Sequence, residues 1–441
     1  MLSKRIRWLL FLALTSANAA GQSAEEGFVS LFDGKSLAGW VTRGGRHDGN
    51  AEWSVEEGCI VGRPNGHGEG GLLYTERPYT SFVLRLEVKM DFPFDSGLFV
   101  RMAPDARGAQ ITLDHHPDGE IGAVYSDEFL AHCETGKEFF RRDDWNEVEV
   151  RCTGFDMHLV CTLNGTTITD HEMQGGGGYA PSGLIGLQVH GGGSDRGVVH
   201  FRNVRVRELP VFGEGLFEPA DPARPGLLAP TKEAAQAGWR SLFDGESLAG
   251  WKVSVAEGNC APRDGVLAFL ARAPRGTGGE LQTEEDFRDF RLRLDFKLAR
   301  MANSGVFLRA ARDGPNPAFS GCEIQILDDF DWERVSGTTL KPWQFTGSLY
   351  GSVPPRDRSA LKPLGEWNTY EILYQGSRLA VALNGRTLYD VDTFALQPES
   401  GEPFARRAQT GFIGLQHHGS EHVEAATTVE FRNLFVEPLA P

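Results

Sequence analysis

Apolar and polar residues alternate along many short runs of the chain. Residues 82–88 and 290–296 place an apolar side chain at every second position, which is typical of a half-buried β-strand. Residues 379–383 form an apolar run that ends at an Asn-Gly pair, which is typical of a tight hairpin turn. Beyond the N-terminus, convincing helical periodicity is nearly absent, and residues 231–237 are a modest helix candidate. The pattern therefore predicts an all-β protein.

The stretch at residues 321–328 has the strongest chemical character. Its two isoleucines fall on one side of the predicted strand, and Glu323 and Gln325 fall on the other, because strand side chains alternate. Asp328 breaks the alternation, which predicts a bulge or the end of the strand. A polar row backed by an apolar row is expected where an antiparallel sheet presents a wet face over a packed core.

The chain also repeats itself. Residues 30–40 read SLFDGKSLAGW, and residues 241–251 read SLFDGESLAGW. Further matching pairs follow in unchanged order, which indicates a tandem duplication. We therefore predict two jelly-roll β-sandwiches, at residues 25–210 and 237–441. A proline-rich linker at residues 211–236 joins them.

Two repeated strands add polar residues to the same kind of face. Gln416 and His418 have the same parity in one strand, and Gln188 and His190 have it in the first half. These residues are candidates for sugar contacts. The alternative is that each Gln-x-His pair satisfies backbone groups at the edge of a sheet.

Arginine follows an aromatic residue near the end of another repeated strand, as Arg101 and Arg309. Each is a candidate for ligand binding, and a solvated strand end is the alternative. The repeated tryptophans are interpreted as core anchors rather than sugar-stacking surfaces. They are Trp40, Trp145, Trp251 and Trp367.

Charge and the N-terminus narrow the classes of function. The 441 residues carry a formal net charge of -16, which argues against a nucleic-acid partner. Residues 1–20 combine a basic start, a short apolar middle and a small-residue cleavage site, which is typical of a signal peptide. No later segment is long and apolar enough to insert into a membrane. We therefore expect an exported protein, either periplasmic or secreted.

The six cysteines show no CxxC spacing, which argues against a thiolate zinc site. Cys152 and Cys161 flank a predicted hairpin. An oxidising compartment would permit a disulfide between them, and two buried free thiols are the alternative.

Taken in order, the repeated segments resemble the 3-keto-disaccharide hydrolase family, whose fold is a concanavalin A-like lectin/glucanase sandwich. The resemblance covers nearly all of both halves. It implies cleavage of 3-keto-glucosides outside the cytoplasm, by lyase and hydratase steps through a 3-keto-2-hydroxy-glucal. The matching pieces of the second half are residues 242–251, 303–309, 321–328, 347–350, 367–368, 384–385, 416–419 and 431–433.

The implied chemistry needs a base, an acid and a group on the developing enolate oxygen. Glu323 and His418 are the candidates for base and acid, and Arg309 is the candidate for the enolate oxygen or a hydroxyl. A divalent metal is an alternative to Arg309, although no decisive ligand spacing is present. The residues expected to contact or orient the sugar are Gln325, Asp328, Tyr350 and Gln416, with Arg101, Gln110, Gln188 and His190 in the first half.

The two halves differ at the position of Glu323. Residues 108–114 read GAQITLD, so the first half loses the carboxylate if Gln110 aligns with Glu323. Aligning Asp114 with Asp328 instead requires a gap of one residue. We expect the second half to be catalytic. The first half would bind sugar, complete a shared cleft or act on another substrate.

Two other classes of protein stay open. One is a non-catalytic carbohydrate-binding protein, since the same sandwich serves lectins. The other is a retaining glucanase, which needs two carboxylates about 5–5.5 Å apart. The position two residues after Glu323 is Gln325, which disfavours the glucanase.

Overall fold

Antiparallel strands are the main secondary structure of the described residues, as the alternating pattern predicts. The predicted signal peptide lies outside the described residues. Within the described ranges, no helix is long and apolar enough to cross a membrane. The computed structural model describes residues 27–173, 179–192, 197–255, 259–270, 278–314, 316–418 and 427–440.

In its described residues, the first half contains one short helix, α1 (Gly136–Phe139), between its strands. Its strands are β1 (Val29–Ser30), β2 (Trp40–Val41), β3 (Glu52–Glu56), β4 (Cys59–Arg63), β5 (Gly71–Thr75), β6 (Phe82–Met90), β7 (Asp95–Met102), β8 (Ala109–Asp114), β9 (Ile121–Tyr125), β10 (Phe129–Ala131), β11 (Asn146–Thr153), β12 (His158–Leu163), β13 (Thr166–Glu172), β14 (Leu184–Val189) and β15 (Val199–Glu208).

These strands form two antiparallel sheets. One sheet has the order β13-β12-β11-β6-β15-β4-β3, with β1 paired to β15, and the other has the order β10-β9-β8-β7-β14-β5-β2. Buried residues of both sheets pack against each other, including Leu84 and Val88 from the first and Leu98, Ile111 and Leu187 from the second. The first half is therefore a β-sandwich.

The segment between the halves is folded. It contains the hairpin β16 (Phe217–Pro219) and β17 (Leu228–Pro230), followed by helix α2 (Lys232–Ala237). The side chain of Thr231 caps the N-terminus of α2 by accepting a hydrogen bond from Ala234 N–H. The helix thus begins where the sequence places its helical candidate.

The second half adds two short helices, α3 (Pro317–Ser320) and α4 (Trp332–Ser336), and four 3₁₀ turns at Pro342–Gln344, Arg358–Ala360, Thr393–Ala395 and Phe404–Arg406 within the described residues. Its strands are β18 (Arg240–Ser241), β19 (Trp251–Val253), β20 (Cys260–Arg263), β21 (Val266–Leu270), β22 (Gly279–Thr283), β23 (Phe290–Leu298), β24 (Asn303–Ala310), β25 (Cys322–Leu327), β26 (Trp367–Gln375), β27 (Arg378–Leu383), β28 (Arg386–Asp392), β29 (Phe412–His417) and β30 (Thr427–Pro438).

The sheets of the second half repeat those of the first. One sheet has the order β20-β21-β30-β23-β26-β27-β28, and the other has the order β19-β22-β29-β24-β25. The sequence β7-β14-β5-β2 of the first half corresponds to β24-β29-β22-β19 of the second. The predicted tandem duplication of a jelly-roll sandwich is confirmed.

The repeated Asn-Gly pair turns a hairpin in both halves. Asn384 and Gly385 have φ angles of 51° and 79°, and Asn164 and Gly165 have 48° and 85°. Two successive positive φ values match the twist of the flanking strands, and Asn and Gly reach them at low cost.

The two halves contact each other directly. Glu371, on the outer face of β26, accepts hydrogen bonds from the N–H groups of Val211 and Phe212, both at 2.9 Å. Arg378 forms an ion pair with Asp156 of the first half at 2.6 Å. Because the first half covers these residues, part of the outer face of the second sandwich is buried.

The question of a bridge between Cys152 and Cys161 is answered by the register of β11 and β12. Cys152 lies opposite Leu159, and Cys161 lies opposite Val150. Both are buried free thiols, and burial raises the pKa of Cys161 to about 12.

Candidate active site

The polar row expected on residues 321–328 is present on β25. Ile324 and Ile326 belong to the buried core, so Glu323 and Gln325 point to the opposite face of the sheet. We call that face of the sheet β19-β22-β29-β24-β25 the site face. Across β24, Glu323 lies opposite Phe307, and Gln325 lies opposite Gly305.

The side chain of Glu323 folds over the neighbouring strand. A Cβ atom added at Gly305 would lie 2.1 Å from Oε1 of Glu323. The carboxylate therefore occupies the space that the missing side chain of Gly305 leaves open. Only glycine permits this position of the carboxylate, and this requirement was not recognised in the sequence.

Glu323 is 3% exposed. Among the described residues, no ion pair or hydrogen bond reaches its carboxylate, and burial raises its pKa to about 8. A buried carboxyl without a partner is costly to ionise. Such a group is suited to proton transfer near neutral pH.

Residues 347–350 pair with β25 as a further short strand. Tyr350 N–H donates to the carbonyl of Glu323 at 2.9 Å, and Gln325 N–H donates to the carbonyl of Ser348 at 3.0 Å. This register places Tyr350 directly beside Glu323. The Tyr350 ring packs edge-on against Trp343, with centroids 5.0 Å apart, and burial raises the pKa of its phenol.

Gln416 and His418 lie on the site face near the end of β29. Val306 is paired with Leu415, so Gln416 lies beside Gly305, and His418 lies beside Asn303. Standard strand spacing and rise put the Cα atom of His418 about 8 Å from that of Gly305. The carboxylate folded over Gly305 and the imidazole of His418 thus flank a space that spans β24 and β29.

His417 faces the other way. Its Nε2 atom lies 3.0 Å from the carbonyl oxygen of Leu270, and its ring packs against Phe269. Of the two adjacent histidines, only His418 belongs to the site face.

Arg309 is not on the site face, contrary to the role in ligand binding expected from the sequence. It has a φ angle of 50°, and the pairing of β24 with β29 shifts register between Phe307 and Ala310. The side chain therefore turns inward. Its guanidinium donates to the carbonyl of Gly376 at 2.7 Å and to the carboxylate of Asp289 at 2.9 Å, and it lies 3.5 Å from the ring centre of Tyr374.

Arg101 repeats this arrangement in the first half. Its φ angle is 51°, and it donates to the carbonyls of Thr80, Gly154 and Phe155. These groups lie on or beside the opposite sheet. Both arginines therefore link the two sheets of their sandwich, and neither contacts the site face.

Asp328 ends β25, as its break in the alternation predicts, but it does not face a sugar site. One carboxylate oxygen accepts from Met301 N–H at 2.8 Å. The other accepts from Phe330 N–H at 3.0 Å and from Asp331 N–H at 3.1 Å. With both oxygens engaged by backbone groups, this buried carboxylate fixes the loop after the strand.

Strand pairing decides how the two halves align. Gln110 lies opposite Phe99, as Glu323 lies opposite Phe307. Asp114 lies opposite Asp95, where the second half has Leu327 opposite Asn303. Gln110 therefore replaces Glu323, and Asp114 does not correspond to Asp328.

The other first-half candidates are close together. Gln110 donates from Nε2 to Oε1 of Gln188 at 2.8 Å. Tyr125 of β9 lies opposite Gln110 of β8. His190 lies with Nδ1 3.4 Å from a carboxylate oxygen of Asp95. Asp95 was missed in the sequence, although the repeat aligns it with Asn303.

The described residues contain no group of three or more His, Cys, Asp or Glu side chains arranged to hold a metal ion. The described part of the structure therefore offers no ligand set for the divalent metal considered as an alternative electrophile.

A comparison with protein families gives two matches along the chain. The model of a 3-keto-alpha-glucoside-1,2-lyase-like domain matches residues 27–207 and residues 238–437. The chain belongs to this family and carries its domain twice.

One relative and two solved structures illustrate the similarity. A 3-keto-disaccharide hydrolase of Bacteroides thetaiotaomicron is 26% identical over 237 residues, which are 46% of this chain and 79% of the relative. Two structures of a "putative glycosyl hydrolase" from Parabacteroides distasonis are 24% and 27% identical, with TM-scores of 0.39 and 0.38. The matched regions cover 48% and 46% of this chain, and each covers 99% of the chain in the solved structure. Family and relative together support a glycoside hydrolase-like enzyme with a carbohydrate substrate.

Proposed function

We propose that the protein is an exported enzyme that cleaves 3-keto-glycosides, including 3-keto-disaccharides, by β-elimination and hydration at the site face of its second half. The observation that carries this proposal is Glu323. It is a buried carboxyl without a partner among the described residues, with a pKa raised to about 8, beside Tyr350 and near His418. Membership of the family supports the substrate class.

In the elimination step, the ketone at carbon 3 acidifies the proton on carbon 2. The carboxylate of Glu323 takes this proton, and the electron pair of the C–H bond forms an enolate with the ketone. The enolate then re-forms the ketone and a double bond between carbons 1 and 2, while the bond from carbon 1 to the glycosidic oxygen breaks. His418 gives a proton to that oxygen, and the alcohol departs.

Hydration reverses the proton transfers. His418 takes a proton from water as the water oxygen bonds to carbon 1. Glu323, now a carboxylic acid, returns a proton to carbon 2. The sum of both steps is hydrolysis of the glycosidic bond, and both groups end in their starting states.

Tyr350 is the strongest candidate for a donor to the enolate oxygen. It takes this role in place of Arg309, because Tyr350 lies beside Glu323 and Arg309 turns inward. A preorganised donor at a developing oxyanion stabilises the transition state. The amides of Gln325 and Gln416, on either side of Gly305, orient the sugar hydroxyls.

We include export in the proposal because residues 1–20 combine a basic start with a short apolar middle, which is typical of a signal peptide. N-terminal sequencing of protein recovered outside the cytoplasm tests it. A mature chain that starts shortly after residue 20 is expected, and a cytoplasmic chain that keeps residues 1–20 would contradict it.

The activity is tested with p-nitrophenyl 3-keto-glucoside and its unoxidised parent. Release of nitrophenol from the keto compound only is expected, with exchange of the carbon-2 proton in deuterated water. The variant Glu323→Gln removes the base, and Glu284→Gln, at an exposed glutamate of the same half, is its control. Equal release from both substrates, or full activity of Glu323→Gln, would reject the proposal.

A further inference from the structure

We propose that the first half carries a separate binding site for one hexose unit of a neutral glycan and holds this unit without cleaving it. The proposal rests on residues of the first half alone. It goes beyond the activity proposed for the second half and does not depend on it.

A cleft of about 410 Å³ opens on the face of the first half that corresponds to the site face. We call it the first-half cleft. Its volume lies in the usual range for small-molecule sites. Among its lining residues are Asp95, Gln110, Thr112, Tyr125, Phe129 and Gln188.

Two glutamine amides present one acceptor and one donor to this cleft. Gln110 is 6% exposed, and its Nε2 atom donates to Oε1 of Gln188. Within the described residues, no hydrogen bond reaches Oε1 of Gln110 or uses Nε2 of Gln188. A nearly buried acceptor gains when a ligand pairs with it. Sugar hydroxyls both donate and accept, and thus match this pair.

The charge of the first-half cleft excludes acidic sugars. Its lining includes Asp48, Asp95, Asp114 and Glu120, and the lining residues include no lysine or arginine. The carboxylates of Asp114 and Glu120 contact His116 and His132 outside the lining, at 2.8 Å and 2.7 Å. A uronate, sulfate or phosphate ester would meet like charges with no lysine or arginine to pair with.

An exposed aromatic ring stands at the same cleft. Phe129 is 48% exposed. It packs edge-on against Tyr125, with centroids 5.3 Å apart, and stacks on His132 at 5.0 Å. An exposed, supported ring beside polar side chains offers a flat apolar surface for one face of a sugar ring.

The first-half cleft lacks the base of the second half. Gln110 stands in the place of Glu323 and has no basic oxygen to take a carbon-2 proton. The nearest carboxylate on the same strand, Asp114, is four residues further along β8, which is about 13 Å in a strand. The cleft therefore keeps the means to hold a sugar but not the geometry proposed for elimination.

The test uses the unchanged full chain, because the activity proposed for the second half does not cleave the unoxidised glycosides that serve as probes. Binding of methyl glucoside, methyl glucuronide and methyl glucosaminide is measured by titration calorimetry and ligand-observed NMR. We expect the glucoside to bind at least about tenfold more tightly than the glucuronide. Absence of binding, equal binding of the glucuronide, or a tenfold preference for the amine would overturn the proposal.

Matched variants locate the bound sugar. Gln188→Leu should weaken binding of methyl glucoside at least about tenfold, whereas Gln375→Leu, at an exposed glutamine of the second half, should leave it unchanged. Phe129→Ala changes an exposed side chain, so it tests the same cleft with little effect on folding stability. We expect this variant to bind methyl glucoside more weakly. Loss of binding in Gln416→Leu, at the position of the second half equivalent to Gln188, with no loss in Gln188→Leu or Phe129→Ala, would assign the sugar to the second half.

Discussion

Glu323 and Gln110 occupy the same position in two copies of one sheet, and each folds over a glycine of the neighbouring strand. A Cβ atom added at Gly305 would lie 2.1 Å from Oε1 of Glu323, and one added at Gly97 would lie 2.2 Å from Nε2 of Gln110. The two copies thus share the position of the side chain and differ in its chemistry, which is a carboxyl in the second half and an amide in the first. This single exchange separates a candidate for proton transfer from a candidate for hydrogen bonding.

Replacing Glu323 by Gln should abolish most of the turnover of a 3-keto-glucoside. A positioned proton-transfer group contributes typically about 10²–10⁴-fold in rate, and we expect a loss in that range. Initial rates of aglycone release measure it. Because an amide replaces an unpaired carboxyl of the same shape, the circular dichroism spectrum should not change. A variant that unfolds would show that the carboxyl has a structural role instead.

The pH dependence follows from the raised pKa of Glu323, which is about 8. With a nitrophenyl leaving group, which departs without the proton from His418, the elimination requires only the deprotonated form of Glu323, so kcat/KM should rise as pH increases toward and through 8. Rates between pH 5 and pH 9 measure this limb, and Glu323→Asp should move its midpoint. A rate that falls through this range would assign the essential form of Glu323 to the protonated acid.

The same carboxyl should make the stability of the fold depend on pH in one direction. Its folded pKa lies above its value in the unfolded chain, so the folded state holds its proton between about pH 4.5 and pH 8 while the unfolded state releases it. Stability should therefore fall as pH rises across this window. The melting temperature of Glu323→Gln, compared with that of the unchanged protein, should be relatively higher at pH 8.5 than at pH 4. A constant difference would contradict the burial argument.

Gly305→Ala should impair turnover without unfolding the sheet. The added methyl group displaces the carboxylate of Glu323, and a misplacement of about 1 Å can cost about 10²-fold. The matched variant Gly97→Ala displaces Gln110 in the first half. It should weaken glucoside binding there and leave release from the keto compound close to normal. Equal effects of the two variants on turnover would mean that the halves share one site.

Arg309→Met should act on stability. Removing the guanidinium breaks the buried ion pair with Asp289, which keeps the N–H of Gly376 and the exposed Arg288 as partners. Breaking a buried pair costs about 3–5 kcal/mol, and we expect a loss toward the lower end of this range. Denaturant midpoints measure the loss, and Arg406→Met, at an exposed arginine whose partner Glu402 is also exposed, is the control. A variant with a normal midpoint and no turnover would return Arg309 to the catalytic residues.

Much of the fold could be predicted from the sequence. Alternation of apolar and polar residues is a local signal, and the repeat is found by comparing the chain with itself. They predicted the β25 strand, its polar face and the two copies of the sandwich. The direction of Arg309 was not accessible, since it depends on a positive φ that flips one side chain. The equivalence of Gln110 with Glu323 needed strand pairing. Asp328 was misread because its partners are backbone N–H groups, which leave no pattern in the sequence.

The second half depends on contacts with the first half and with the segment that follows it. Glu371 belongs to the second half, but the backbone groups that satisfy it come from the segment after the first. Deleting the first half would expose Leu373, Ala380 and Ala382, which pack against Phe155 and Val211. The copy without the base therefore has a structural role as the cover of its neighbour, in addition to any ligand that its own cleft binds.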